Sequence, residues 1–228
     1  MIVVAHQPEY LPWLGFFDKL IKCDLFVVLD NVQFQKGFIN RNRVKTPDGE
    51  QWLTVPIVHK FHRSPIYQVK IHNNKKWKKD NWFTILHNYS RAPYFKDYAK
   101  FFEKTFTSSW ETLLDLDIHL INYLMSELNI KIPIRLASSL NPEGKGTELL
   151  IDICKKVGAD TYLSGEGGKL YMDLNRFKDE GIKVIFQDFK HPEYPQQFSK
   201  TGFLPRMSII DLLFNCGREK SVNIIRGI

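Results

Sequence analysis

The chain of 228 residues is 43% hydrophobic and 25% charged, a globular balance that excludes a disordered or fibrous protein. No stretch reaches the ~20 apolar residues of a membrane helix, and the start lacks the basic and apolar regions of a signal peptide. A cytoplasmic chain without membrane insertion is therefore expected. The net charge of +7 favours a partner carrying phosphate or carboxylate, and three widely spaced cysteines fit buried thiols better than a disulfide framework or a zinc site.

Ile2 to Ala5 reads as a short buried strand, and the following loop turns helical around Trp13 and runs to Lys22. Asp24 to Asp30 reads as a second buried strand, completing a unit of βαβ size. NRNRVK and QWLTVPIV flank Pro47-Asp48-Gly49, where Pro presets φ and Gly accepts positive φ, so a hairpin is expected. IYQVKI at 66–71 alternates and is expected to pair with that hairpin. Tyr94, Tyr98, Phe101, Phe102 and Phe106 fall at helical spacing, as do Leu113, Leu116, Leu120, Leu124 and Leu128; such stripes are core faces.

The last third returns to alternation. IRLAS (134–138), DTYLS (160–164) and IKVIFQDF (182–189) read as strands, and Thr147 to Val157 as a helix. Asp173 is expected to cap a short helix ended by Gly181. Ser208 to Cys216 is expected to be a helix with Ser208 and Asp211 as a capping box and Gly217 just past its end. Strands alternating with helices predict an α/β fold with a mostly parallel sheet. One α/β domain over residues 1–228 is expected, with a β-rich insertion at 35–72 and a helical subdomain at 77–130.

Open α/β sheets bind ligands just past the carboxyl ends of their strands, which singles out four segments. In the first, His6 stands at a strand end, where an imidazole can act as acid, base or phosphate donor. Gln7 and Tyr10 offer hydrogen bonds and Trp13 a flat surface; the alternative is a core His, Tyr and Trp. The second holds Asp30, Gln33, Lys36, Arg41, Asn42, Arg43 and Lys45. Strand alternation puts Arg41 and Arg43 on one face and Asn42 on the other, and paired arginines can grip phosphate or carboxylate; the alternative is a solubilising edge.

The third segment is Ser164, Gly165, Glu166, Gly167, Gly168 and Lys169. Its glycine amides can face an anion and Lys169 can add charge, although the spacing is neither a P-loop nor a dinucleotide fingerprint. The alternative is a tight turn that needs positive φ. In the fourth, Gln187, Tyr194 and Gln197 can recognise the hydroxyls or amides of a sugar or base, or else shape a proline-bent loop. No GxSxG, HExxH or CxxC is present and no metal motif is found. The run Lys75, Lys76, Lys78 and Lys79 reads as a solvated surface.

HQPEYLPWLGFFDKL, FVVLDNVQFQKGFINRNRVK with WLTVPI, YLSGEGGKLYMD and PRMSIIDLLFNCG together resemble the WbqC-like family, over nearly the whole chain. That resemblance implies a setting among genes for bacterial O-antigen and other surface polysaccharides. The start also resembles nucleotidyltransferase-like α/β enzymes and pantothenate-synthetase-like ligases, which implies a nucleotidyltransferase-like (Rossmannoid) sheet. Where those proteins open the first helix with Gly-His, this chain has Gly15-Phe16.

These readings lead to an enzyme of O-antigen or surface-glycan biosynthesis. Its expected partner is a phosphorylated small molecule, a nucleotide-activated amino sugar, modified by acyl or aminoacyl transfer. His6 is the expected acid or base, Asp30 orients it or binds the sugar, and Lys36 holds phosphate with Arg41 and Arg43. The cofactor is open: a nucleotide or an acyl or aminoacyl donor would fit. Nucleotidyl or adenylyl transfer with ATP or CTP is the alternative reaction. A nucleic-acid module is disfavoured, since no RRM, KH or helix-turn-helix signature occurs, and a non-catalytic scaffold stands as a further reading.

Overall fold

Short runs of branched and aromatic residues set the frame. The computed structural model describes all 228 residues. β1 (Ile2–His6) leads through α1 (Leu14–Leu20) to β2 (Leu25–Val28). Apart from the terminal His6 of β1 both strands are apolar, which suits strands covered on both faces. Their alternation sorts the core. Val4, Phe26 and Val28 face a large apolar cluster shared with α1, while Val3, Ala5, Leu25 and Val27 face a smaller one on the opposite side.

The chain then leaves the sheet. β3 (Arg41–Thr46) and β4 (Gly49–Thr54) form a separate antiparallel hairpin around Pro47 and Asp48. The segment 66–71 meets the expected second hairpin strand only at its far end, beyond β4. Ile66–Gln68 winds into a 3-10 turn, with the Ile66 and Tyr67 amides donating to Val32 and Asp30 carbonyls, and Ile71 meets Ile57 in an isolated bridge. Local alternation was outweighed there by partners offered from the segment after β2.

Helices α2 (Trp77–Tyr89), α3 (Phe95–Thr107) and α4 (Leu113–Glu127) follow. Tyr98, Phe102 and Phe106 of α3, and Leu113, Leu116, Leu120 and Leu124 of α4, are buried in the larger core. Next come β5 (Ile134–Leu136), the short α5 (Ala137–Leu140), α6 (Thr147–Val157), β6 (Thr161–Ser164), α7 (Leu174–Asp179) and β7 (Lys183–Phe186). Asp173 caps α7 by accepting from the Asn175 and Arg176 amides.

α8 (Ile209–Arg226) starts at Ser208 and packs along α1. One expectation holds here and one fails. Gly217, with φ 72° and ψ 176°, closes the helical stretch that begins at Ile209, as expected; a second helical stretch continues α8 beyond this kink to Arg226. The Asp211 carboxylate does not reach the Ser208 amide, which donates to the Arg43 carbonyl; it accepts instead from Tyr89 Oη and Gln196 Nε2, so the capping box does not form. The sheet is fully parallel, in the order β5-β2-β1-β6-β7.

Candidate functional site

That strand order places the reversal point beside β1. The chain builds outward from β1 to β2 and β5, then crosses to β6 and β7 on the other side. Ligands of open α/β sheets sit at the carboxyl ends next to such a reversal. A cavity of about 420 Å³ opens there, lined by His6, Trp13, Lys19, Phe38, Arg43, Gly165, Glu166, Gly167, Gln187, Phe189, His191 and Arg206.

Backbone bonds bring these segments together. Tyr10 N–H donates to the Phe38 carbonyl and Ile209 N–H to the Pro12 carbonyl, each at 2.8 Å. Asn42 Nδ2 reaches the Leu11 carbonyl at 2.7 Å. Ser208 N–H holds the Arg43 carbonyl at 2.8 Å, so the starts of β3 and α8 meet over the loop after β1.

At the floor, His6 Nδ1 lies 2.9 Å from the Gln7 carbonyl. A carbonyl only accepts, so Nδ1 carries the proton and Nε2 keeps its lone pair. Burial, reinforced by the charge of Lys19, pushes the His6 pKa down to about 3. The ring is neutral at pH 7, and an edge of Phe16 packs against it with centroids 5.6 Å apart.

Lys19 is the less expected feature. It is only 6% exposed, yet no carboxylate lies within ion-pair distance of Nζ and no hydrogen bond holds it. Burial lowers its pKa to about 8, against the attraction of Glu9. Glu9 is buried too, one of its carboxylate oxygens has no partner, and burial raises its pKa to about 7. The neighbouring Asp18 is occupied by Lys22 and by Gln187 Nε2 at 2.7 Å. Arg43 and Arg206 add two guanidinium groups at the rim; Arg43 pairs with Glu50 at 2.8 Å and reaches over Phe38 and Trp52. The site therefore combines a buried unpaired cation, two rim cations and a neutral imidazole with aromatic walls.

The sequence model of the WbqC-like protein family matches residues 7–223, a span that includes every cavity residue except His6. The chain belongs to this family. It is 36% identical over 225 residues to the uncharacterized protein Rv1507c of Mycobacterium tuberculosis, a match that covers 95% of this chain and 94% of that protein. No solved structure matches this WbqC-like chain.

Of the residues singled out in the sequence, His6, Trp13, Arg43, Gly165, Glu166, Gly167 and Gln187 line the cavity of this WbqC-like protein. The others stand elsewhere. Tyr10 is fully buried, with Asn81 Nδ2 donating to its hydroxyl at 3.1 Å. Asp30 is fully buried and its carboxylate accepts from the Ser138 amide and hydroxyl, at 2.8 and 2.5 Å. Gln7 is half-buried beside His6, while Gln33 and Lys36 are exposed outside the cavity. Arg41 shares a face with Arg43 but lies over Trp52, 4.3 Å from its centroid. Asn42 is buried on the opposite face.

Ser164 Oγ is turned to the Gly165 carbonyl and Met172 Sδ. Gly165, Gly167 and Gly168 all have negative φ, so positive φ is not what they supply. Gly168 is needed for contact, because a Cβ there would lie 2.1 Å from Ser164 Oγ. Lys169 pairs with Glu166 at 3.6 Å outside the cavity. Tyr194 is buried behind His191, and Gln197 lines a separate cavity with Phe83, Leu86 and Arg91.

Sequence reasoning missed Lys19, Phe38, Phe189, His191 and Arg206. Lys19 carried no signal in the sequence: that all seven residues of α1 are buried, leaving a charge in FFDKL no solvent face, follows only from the fold. His191 accepts from the Arg206 amide at 3.0 Å and stacks on Trp13. That contact joins residues fifteen apart in an irregular loop, which no periodicity announces.

Proposed function

We propose that the cavity binds a nucleotide-activated amino sugar, and that the protein transfers an acyl or aminoacyl group to the sugar's amine. The observation that carries this reading is Lys19: a buried lysine with no carboxylate within ion-pair distance, attracted only at longer range by Glu9 and Asp18, facing a cavity rimmed by Arg43 and Arg206. Leaving such a charge unpaired is costly, and a diphosphate would complete it. The exposed Phe38 ring at the rim gives a base or sugar ring a flat surface.

In this scheme the cations fix the phosphates, the amine nitrogen attacks the donor's acyl carbonyl and His6 Nε2 takes the amine proton; the bond from the acyl carbon to the donor's leaving group then breaks, and that group departs with the proton returned by His6. A bound dianion raises the His6 pKa toward the working range by opposing the desolvation that lowers it. The alternative of nucleotidyl transfer is less well supported. Phe16, at the place where the resembling enzymes carry histidine, is 1% exposed and packs on Phe17 and Phe26.

Thermal-shift titration with a panel of nucleotide sugars tests the reading. At least one should stabilise the wild type and fail to stabilise Lys19→Met. No shift with any member, or equal shifts in both proteins, would overturn it. Mass spectrometry of the bound sugar with acyl donors then reads the transfer.

A further inference from the structure

The positive charge of the protein is concentrated in one region. Residues 59–104 hold eleven of the 32 lysines and arginines and three of the 25 acidic residues, a balance of +8 in a chain of net +7. The rest of the molecule, including the cavity described above, stands at −1. Within that region a groove of about 320 Å³ is lined by Lys75, Lys76, Lys78 and Lys79 with Trp82, Phe106 and Thr107.

No carboxylate lines this groove. Lys22, Lys70, Lys155, Lys156 and Lys169 all pair with acids, but the four groove lysines have no ion-pair partner within 4 Å, not even the adjacent Asp80. Among them only Lys78 donates a hydrogen bond, to the Ser108 carbonyl at 2.9 Å. Four like charges held around a cleft repel one another, and that repulsion is relieved by an anionic partner.

The groove's chemistry selects among anions. Nucleic-acid phosphates are typically met by arginine forks and free aromatic faces. Here there is no arginine, and the Trp82 ring is already stacked on Phe95 and Phe106. Lysines are flexible point charges suited to laterally mobile headgroups. Beside them Phe83 is 52% exposed on the same helix, with Lys79 Nζ 5.4 Å from its ring, an aromatic side chain placed as in interfacial helices. No helix is long and apolar enough to cross a membrane, so such a contact lies at headgroup level.

We infer that the lysine groove at the start of α2 is a docking surface for an anionic lipid bilayer. Each exposed lysine near such a surface contributes roughly fivefold to partitioning. Vesicle flotation tests this, with phosphatidylglycerol–phosphatidylcholine vesicles against phosphatidylcholine alone. The protein should float with the anionic vesicles and be released by salt. Lys75→Gln, Lys76→Gln and Lys79→Gln together should weaken binding by roughly a hundredfold. The charge-matched control Lys131→Gln, Lys145→Gln and Lys178→Gln, at exposed sites elsewhere, should weaken it far less.

Absence of flotation, equal loss in both triple variants, or tight binding to single-stranded RNA with vesicles ignored would each overturn the inference. Nucleotide-sugar shifts in the groove variant should match the wild type, which separates this surface from the cavity.

Discussion

The indole of Trp13 lies against Gly15 so closely that a Cβ on Gly15 would come within 2.2 Å of the ring. The glycine lets Trp13 fold back onto its own helix and form the cavity wall, with Phe189 and His191 packed on it. Gly15→Ala should displace the ring. Helix propensity favours alanine by about 1 kcal/mol, whereas forced repacking costs about 1–3 kcal/mol. A net loss of stability in urea denaturation, with loss of the nucleotide-sugar shift, is expected. Gly15→Ala combined with Trp13→Leu should recover the stability but not the ligand response. A fully stable, ligand-responsive Gly15→Ala would remove Trp13 from the site.

Asp30 gives a contrasting case. Its carboxylate is spent on the Ser138 amide and hydroxyl, anchoring α5 to the end of β2. Asp30→Ala should cost about 2–3 kcal/mol through the loss of charge-assisted bonds. Ligand affinity, measured on the folded protein, should stay unchanged. Unchanged stability with lost affinity would return Asp30 to the catalytic group.

The sheet was legible because β1 and β2 are continuous apolar runs and Thr147–Val157 has a clean helical face; the helix bounds match the expectation residue for residue. His6 and Arg43 were legible as site residues because a strand end and a strand face are local properties. Lys19 and Arg206 were not. Their place depends on which way α1 lies over the sheet and on how the segment after β7 returns to β3, and both are tertiary facts. Segment 66–71 shows the converse failure: its alternation is real, but carbonyls offered by Asp30 and Val32 captured its amides.

The neutral state of His6 has its own signature. Its pKa falls from 6.5 to about 3, so between those values the unfolded chain binds more protons than the folded one. The His6 contribution therefore makes stability rise with pH from about 3 to 6.5 and fall on acidification. Glu9, raised from 4.5 to about 7, acts in the opposite sense over its own window. In NMR, the His6 ring signals should not titrate between pH 5 and 8 in the free protein. His6→Gln should lose less stability than the wild type between pH 7 and pH 4. An imidazole titrating near pH 6.5 would contradict this environment for His6.

Lys19 decides between a structural and a binding role for the cavity floor. Its pKa is lowered from 10.5 to about 8, so between those values the unfolded chain holds the extra proton. The Lys19 contribution is thus a standing cost below about pH 8, relieved as pH climbs toward 10.5. That cost is on the order of 1–3 kcal/mol. Lys19→Met should therefore melt no lower than the wild type at pH 7, and its advantage should shrink as pH approaches 10. Glu9 does not reverse the sign, because burial already favours its neutral form and loss of the lysine charge favours it further. The same variant should show no nucleotide-sugar shift. A drop of several degrees at pH 7 would mean that the ammonium is a paired structural group, and the anion assigned to the cavity would lose its counter-charge.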